Sequence, residues 1–247
     1  MKAMIFAAGL GLRLRPLTDT LPKCLLQVAG KTLLEHVVDR LKRAGVEAIM
    51  INVHHLAHQI QSFVEQKKSF GLRVEFSYEA ELLDTGGGLK KVSEFFKSGP
   101  LEEDFFAYNS DVYAEVDLNA MLAFHKSHQA DATLAVSRRE TSRYLRFDPQ
   151  LRLVGRENRK TGQEILLVPD ISFERLAFAG IHVLSSRIFN FMRTQAGRFS
   201  ILDTYMEAVR QGATLVGYRI DGSLWADIGS PEKLDALRRQ LEGGKLF

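Results

Sequence analysis

The chain has 247 residues, 45% hydrophobic and 26% charged, with a formal net charge of +3. That length fits one large α/β domain or two small ones and buries a substantial core without disulfides or metal staples. So small a net charge gives no case for nucleic acid as a partner, although a local cluster of cations can still meet a phosphate-rich small molecule. The single cysteine, Cys24, cannot form an internal disulfide, which fits a reducing compartment. No run of residues approaches the length needed to cross a bilayer. The opening "MKAMIFAAGL" has a charge-then-apolar order like a signal peptide, but its apolar stretch is short and meets Arg13 and Arg15 at once. It reads as a buried first strand, and the expected setting is the cytoplasm with no membrane partner.

"AMIFAA" (3–8) is continuously apolar, as in a strand covered on both faces. "TLLEHVVDRLKRAG" predicts a helix: Thr32 and Glu35 form a capping box, Leu34, Val37, Val38 and Leu41 one stripe, and Gly45 the stop. "AIMINV" (48–53) is a second buried strand, followed by a helix over 57–68 and a strand "RVEFSY" (73–78). "TGGGLKKVSEFF" starts a helix after a glycine loop. Then come a strand "DFFAYN" (104–109), a helix near 117–128 and a strand "ATLAV" (132–136). The alternation predicts an α/β fold with a mostly parallel sheet and helices on both faces.

Beyond 137 the pattern is less regular. "YLRFDPQLRLVG" predicts a hairpin turning at Asp148 and Pro149, and 156–172 is polar without a clear period. "FERLAFAGIHVLS" is a long strand, with helices near 186–194 and 201–211 and a strand at 214–220. The last helix begins at "GSPEKLDAL", with Ser230 as cap and Pro231 at its first position. No repeat, low-complexity stretch or linker interrupts the chain, so one domain over 1–247 is expected.

The N-terminal loop "AAGLGLRLRPLTDTLPK" puts Gly9 and Gly11 after the first strand, then Arg13, Arg15 and Lys23. Glycines let the chain turn sharply and offer backbone N–H groups to an anion. Arg grips phosphate oxygens with paired hydrogen bonds, and Lys adds a compact charge. The dinucleotide fingerprint fails, because Leu14 stands at its third glycine, and no Gly-Lys-Ser/Thr follows for a Walker-type loop.

"AAGLGLRLRPLTDTLPKCLLQVAGKTLLEHVV" resembles the opening of the sugar-1-phosphate nucleotidylyltransferases, the NDP-sugar pyrophosphorylases. Their signature runs G-x-G-T/S/E-R, then P-L-T, P-K, and P-V-x-G/N-x-P-L. The resemblance covers nearly the whole chain. It is nearest to short forms without a C-terminal β-helix, such as the N-acetylmuramate-1-phosphate uridylyltransferase type and mannose-1-phosphate guanylyltransferase-like proteins. It implies a Rossmann-like three-layer α/β/α fold with a mostly parallel mixed sheet, an NTP and a sugar 1-phosphate as substrates, and Mg²⁺. On that resemblance residues 1–136 are the NTP-binding half and 137–247 the sugar-phosphate-side half. Ala8, Gly9, Leu10, Gly11, Leu12 and Arg13 are expected at the NTP phosphates, and Lys23 near the reacting phosphate. Arg15 assists on the sugar-phosphate side. Leu12 departs from the family's Thr, Ser or Glu, so a side-chain contact is lost there, while backbone contacts survive. Gln27 and Thr32 replace prolines.

"AYNSDV" ends a strand with Asn109 and Asp111, where ligands sit in open α/β sheets. A carboxylate there suits Mg²⁺, which prefers oxygen ligands; it equally suits a turn cap, as Asp117 does. "NSD" resembles the family's N/x-G-D segment, and "SLWADIGSPEKL" resembles W-x-D-[IV]-G-[TS], in which Asp111 and Asp227 share the metal. Ser110 replaces the usual glycine. "LLDTGGG" resembles L-E-T-G-G-G, which makes Thr85, Gly86 and Gly87 base-side candidates; Asn109 joins the nucleotide side. "FAGIHVLS" makes Gly180 a sugar-side candidate, and "LVGREN" offers Glu157 and Asn158 to sugar hydroxyls or the sugar phosphate. The expected catalytic set is Arg13, Lys23 and Asp111, transferring a uridylyl or guanylyl group to a hexose 1-phosphate. A catalytically inactive nucleotide-sugar sensor is the alternative, with Leu12 as its mark.

Other residues read as bland. His54 and His58 stand four apart but lack the acidic partner of H-E-x-x-H, and read as exposed histidines at a helix start; His125 and His128 read the same way. Cys24 has no histidine near it in sequence, and Trp225 reads as core.

Overall fold

A computed structural model describes residues 1–97 and 103–243. In chain order the strands are β1 (Lys2–Phe6), β2 (Gln27–Val28), β3 (Lys31–Thr32), β4 (Ala48–Val53), β5 (Arg73–Tyr78), β6 (Asp104–Asn109), β7 (Val112–Ala114), β8 (Ala132–Ser137), β9 (Arg143–Phe147), β10 (Leu153–Asn158), β11 (Gln163–Leu166), β12 (Glu174–Ser185), β13 (Leu215–Arg219) and β14 (Trp225–Asp227). The α-helices are α1 (Leu17–Thr20), α2 (Leu33–Arg43), α3 (Ala57–Gln66), α4 (Asp84–Lys91), α5 (Ser93–Lys97), α6 (Leu118–Ser127), α7 (Ile201–Arg210) and α8 (Pro231–Gly243). Two compact units emerge. The first holds Met1–Leu82, Tyr108–Glu115 and Leu224–Phe247; the second holds Leu83–Ala107 and Val116–Ser223. The two halves expected about residue 136 are contiguous stretches, whereas these units interleave along the chain.

In the first unit β1, β4 and β5 run parallel, with Phe6 opposite Asn52 and Asn52 opposite Ser77. All six residues of β4 are buried, which is why its sequence shows no alternation. Helix α2 follows its capping box as expected: Glu35 N donates to Thr32 Oγ1 at 3.1 Å, and Thr32 N donates to Glu35 Oε2 at 2.8 Å. Leu33, Leu34, Val37, Val38 and Leu41 are buried along it. The helix ends before Gly45, which takes a φ of +78° that suits a residue without Cβ.

The second unit is mostly antiparallel. β12 pairs antiparallel with β8 and β9, and β9, β10 and β11 form consecutive hairpins, while β13 runs parallel to β8. The sheet is thus mixed, with parallel pairs β1–β4 and β4–β5 in the first unit and β8–β13 in the second. The expected hairpin turn is built by Asp148, whose Oδ1 accepts from Gln150 N at 2.9 Å and Arg152 N at 2.8 Å. The stretch 156–172, patternless in sequence, contains the end of β10 and all of β11. Charged side chains along it are taken up by partners elsewhere in the unit: Arg156 pairs with Asp203, and Glu157 and Glu164 both pair with Arg146. The backbones also come so close that a methyl on Gly155 would lie 2.3 Å from Ile165 O. The helix expected near 186–194 is a 3₁₀ turn, Ser186–Met192. Phe96, Phe105 and Phe189 stack in this unit's core, with Phe96 and Phe105 centroids 4.1 Å apart.

Candidate active site

One hydrophobic cluster in the first unit gathers segments that are far apart in sequence. Leu14, Leu26, Val28, Leu33, Tyr113, Ile228, Leu234 and Leu237 are all buried together. Four of these anchors stand beside a functional candidate: Leu14 follows Arg13, Leu26 lies three residues after Lys23, Tyr113 two after Asp111, and Ile228 directly after Asp227. Burying these apolar side chains therefore sets the backbone positions from which the polar groups project.

The glycine loop leaves the sheet where β1 ends. Ala7 N donates to Asn52 Oδ1 at 2.8 Å, and Asn52 Nδ2 donates to Glu79 Oε1 at 2.7 Å. Gly11 has a φ of +65°, and a methyl there would come within 2.9 Å of Thr18 Cγ2. Thr18 Oγ1 donates to Gly11 O at 2.8 Å. Gly9 differs: its φ is not positive, and nothing lies within 4 Å of a methyl placed on it. Ala8 is buried, Leu10 half-buried and Leu12 55% exposed, so Leu12 neither packs inside nor closes the loop.

The two aspartates are brought together by a short antiparallel ribbon. β14 pairs with β7, Asp227 stands opposite Val112, and Ile228 N donates to Asp111 O at 2.8 Å. Ser110 N donates to Phe6 O at 3.1 Å, which ties the "NSD" segment to the end of β1. The Oδ1 of Asn109 is buried with no hydrogen-bond partner among the described residues. Asp111 forms an ion pair with Lys23, whose side chain is 13% exposed. Asp227 forms one with Lys233 on α8. A methyl on Gly229 would sit 3.2 Å from Arg13 Nη2 and 3.2 Å from Asp227 Oδ2, so the guanidinium and the carboxylate flank the same small residue. Arg13, Lys23, Asp111 and Asp227 thus share one unit with the loop. Arg15 does not face them; it is exposed and pairs with Asp19 at 3.0 Å. Cys24 is buried beside Lys23, and burial pushes its thiol up to about 12, which leaves no thiolate at neutral pH.

Among the described residues no three His, Cys, Asp or Glu side chains converge on one point. Two carboxylates nevertheless fit Mg²⁺, which commonly takes one or two protein carboxylates and completes its shell with phosphate oxygens and water.

Thr85, Gly86, Gly87, Glu157, Asn158 and Gly180 lie in the second unit. The N–H groups of Gly86 and Gly87 both donate to Phe199 O, at 3.0 and 3.2 Å. Thr85 Oγ1 accepts from Ile201 N at 3.1 Å. Glu157 is buried and its Oε2 accepts from Arg146 Nη2 at 2.6 Å and Arg175 Nε at 2.9 Å. These bonds hold its carboxyl below the ordinary glutamate value against the opposing effect of burial. The Oδ1 of Asn158 accepts from Lys160 N at 3.1 Å, and Gly180, φ +78°, sits where the β12–β8 register shifts.

Sequence reading missed three residues. Asn52 is the one polar letter in "AIMINV", which was its signal. Glu79 is 1% exposed, directly after β5. Lys233 sits in the first turn of α8, where a cation opposes the helix dipole; its pairing with Asp227 accounts for that placement. His125 corrects an expectation: it is buried at the end of α6, held by Thr133 Oγ1 at 2.9 Å and Asp104 Oδ1 at 3.2 Å. His54 is half-buried, with Nδ1 2.7 Å from Glu79 O. Trp225 is half-buried in β14.

The chain is 31% identical to mannose-1-phosphate guanyltransferase beta-A of Xenopus laevis over 94% of its own length and 62% of that protein's. It is 35% identical to a UTP–glucose-1-phosphate uridylyltransferase of Synechocystis over 54% of its length and 36% of the relative's. Among solved structures, HddC from Yersinia pseudotuberculosis complexed with GMP-PN superposes with a TM-score of 0.74 at 21% identity, covering 97% of this chain and 99% of that one. That likeness shows the fold. The family model described as nucleotidyl transferase matches residues 2–243, and the chain belongs to that family.

Proposed function

We propose that the protein condenses an NTP with a sugar 1-phosphate, giving an NDP-sugar and pyrophosphate. The observation that carries this reading is the grouping in one unit of the glycine loop, Arg13, the Lys23–Asp111 pair and Asp227. A phosphate oxygen of the sugar phosphate attacks the α-phosphorus in line, and the bond between that phosphorus and the bridging oxygen to the β-phosphorus breaks. No general base is required, because the nucleophile is already an anion at neutral pH. The protein's task is then alignment and charge neutralisation. Backbone N–H groups of Ala8 to Leu12 and the guanidinium of Arg13 hold the departing pyrophosphate, and the Lys23 ammonium sits by the α-phosphate. Asp111 and Asp227 would hold Mg²⁺, which when bound neutralises phosphate charge and draws the two anions together.

Asn109, with its unbonded buried Oδ1, is assigned to the nucleotide. In the second unit, Thr85, Gly86 and Gly87 are assigned to the base side as a shape, since their donors are already used within the protein. Gly180 and Asn158 are assigned to the sugar side. Glu157 acts there through the arginines it holds. Arg15, exposed and paired with Asp19, is left an accessory role at the sugar phosphate. The names of the relatives support guanylyl or uridylyl transfer to a hexose 1-phosphate.

The test is a panel of four NTPs against several sugar 1-phosphates, with Mg²⁺ or with a chelator, following pyrophosphate release. Turnover of one GTP or UTP pair that depends on Mg²⁺ supports the reading. Nucleotide-sugar binding without pyrophosphate release across the panel overturns it in favour of a sensor.

A further inference from the structure

We infer that Asn52 is a positioning residue for the phosphate loop, oriented by the buried carboxyl of Glu79. The inference rests on the proposed role of Ala8–Arg13 in holding the NTP. The β1–β4 ladder stops at the pair Phe6–Asn52. At the next residue the Ala7 N–H is taken by a side chain, Asn52 Oδ1, at 2.8 Å. A strand whose next donor is captured this way leaves the sheet, and the loop begins at that point. The other end of the loop is fixed by Thr18 Oγ1 on Gly11 O at 2.8 Å. Only Ala8, Gly9 and Leu10 lie between these two pins, so the direction of their N–H groups is set before any anion arrives. That is preorganisation, which lowers the ordering cost of binding.

An amide can serve this purpose only one way round. Its oxygen must face Ala7 N, so its NH₂ must find an acceptor in the interior. Glu79 Oε1 supplies that acceptor at 2.7 Å. Asn52 is 3% exposed and Glu79 1%, and buried polar groups of this kind are retained only when hydrogen-bonded. The backbone of Glu79 is itself fixed, with N donating to Val53 O at 2.8 Å and O bonded to the His54 ring at 2.7 Å. The β5 end therefore holds Glu79, Glu79 orients Asn52, and Asn52 places the start of the loop.

The test compares wild type, Asn52→Leu, Asn52→Asp and the double variant Asn52→Asp with Glu79→Gln. Readouts are amide hydrogen exchange across residues 7–14, thermal melting, and KM for each substrate. Asn52→Leu should exchange at least tenfold faster in that segment and raise KM for the NTP about tenfold. KM for the sugar 1-phosphate should stay within about twofold. Asn52→Asp keeps the acceptor for Ala7 but turns a carboxylate toward Glu79, and should show the same defect. The double variant reverses the donor and acceptor of the inner bond and should recover most of the wild-type behaviour; a general packing defect would not recover. A folded Asn52→Leu protein with unchanged exchange, or a double variant no better than Asn52→Asp, overturns the inference. A wild-type protein that releases no pyrophosphate removes the nucleotidyl-transfer reading instead, and the exchange measurements still decide what Asn52 does.

Discussion

Gly9 and Gly11 follow β1, and Gly86 and Gly87 open α4; in sequence both turns present glycines near charged or polar residues. The structure gives them different reasons for being glycine. A methyl on Gly86 would lie 2.4 Å from the Phe199 ring, and one on Gly87 would lie 2.4 Å from Gly197 O. Their amides are bonded to Phe199 O. That turn is closed by its own unit, and glycine is needed for packing. Beyond its chain neighbours nothing comes within 4 Å of a methyl placed on Gly9, and its φ is not in the positive region that demands glycine. A fold has no use for the missing side chain there, whereas a ligand approaching the backbone does. Gly11, with its positive φ and its contact with Thr18, belongs with the glycines the fold requires; Gly9 does not, and on the proposed function it is the ligand that needs its backbone bare.

The largest expected effect sits beside the open turn. Asp111→Asn keeps the shape of the side chain but removes the charge that pairs with Lys23 and would hold the metal. Turnover should fall by about 10³-fold or more, on the order of 4 kcal/mol of transition-state stabilisation, while the melting temperature changes little. Steady-state pyrophosphate release with a parallel thermal melt checks this. Wild-type turnover in this variant would remove Asp111 from the chemistry.

The closed turn should respond the other way. Gly87→Ala forces a methyl against a backbone carbonyl, which cannot swing aside as a side-chain tip can. Overpacking of this kind costs about 2–3 kcal/mol. Urea unfolding should show that loss in stability as the main effect, larger than any change in KM for the NTP in the protein that remains folded. A variant as stable as wild type but poor in NTP binding would move Gly87 from the packing class to the ligand class.

The same unit carries a pH signature. His182 is fully buried, its Nδ1 lies 2.6 Å from Tyr205 Oη, and burial brings the imidazole down from 6.5 to about 3. Above pH 6.5 the ring is neutral whether the chain is folded or not, so its contribution is complete. As pH falls below 6.5 the unfolded chain takes up a proton that the folded chain refuses, and stability declines until about pH 3. The loss should reach about 2 kcal/mol between pH 6.5 and pH 5. Replacing the ring by His182→Gln should flatten that slope in urea titrations at the two pH values. An unchanged slope would mean that other groups carry the acid sensitivity.

How much of this was legible in the letters follows from where each signal is written. Helix α2 was readable because its cap, stripe and stop are all local: Thr32 with Glu35, then Leu34 to Leu41, then Gly45. β4 was readable because burial on both faces leaves an unbroken apolar run. Strand β11 was not, since it is mostly exposed and is held by its backbone ladder to β10, which leaves no apolar alternation in the letters. Asp111 and Asp227 were named through resemblance, but what joins them, the β7–β14 ribbon and the cluster of Leu14, Tyr113 and Ile228, exists only after folding. Glu157 was read as a ligand of sugar hydroxyls or the sugar phosphate, and no local pattern announces that Arg146 and Arg175 occupy its carboxylate. His125 failed for the same reason: its partners Asp104 and Thr133 lie on strands to either side in sequence.

The smallest effect is the most direct probe of the comparison. Gly9→Ala adds one methyl to a site where the protein offers no obstacle, so melting temperature and urea midpoint should match wild type or rise slightly, because alanine restricts the unfolded chain more than glycine does. If the N–H groups around Gly9 receive phosphate oxygens at close range, that methyl stands in the path of the anion. KM for the NTP should then rise about tenfold, equivalent to about 1.4 kcal/mol, with KM for the sugar 1-phosphate unchanged. Alanine at Gly11 cannot give so clean an answer, since its positive φ and its contact with Thr18 would unsettle the loop itself. Gly9 alone separates the ligand's need from the fold's, and a Gly9→Ala protein with wild-type KM for the NTP would show that no phosphate approaches the loop at that residue.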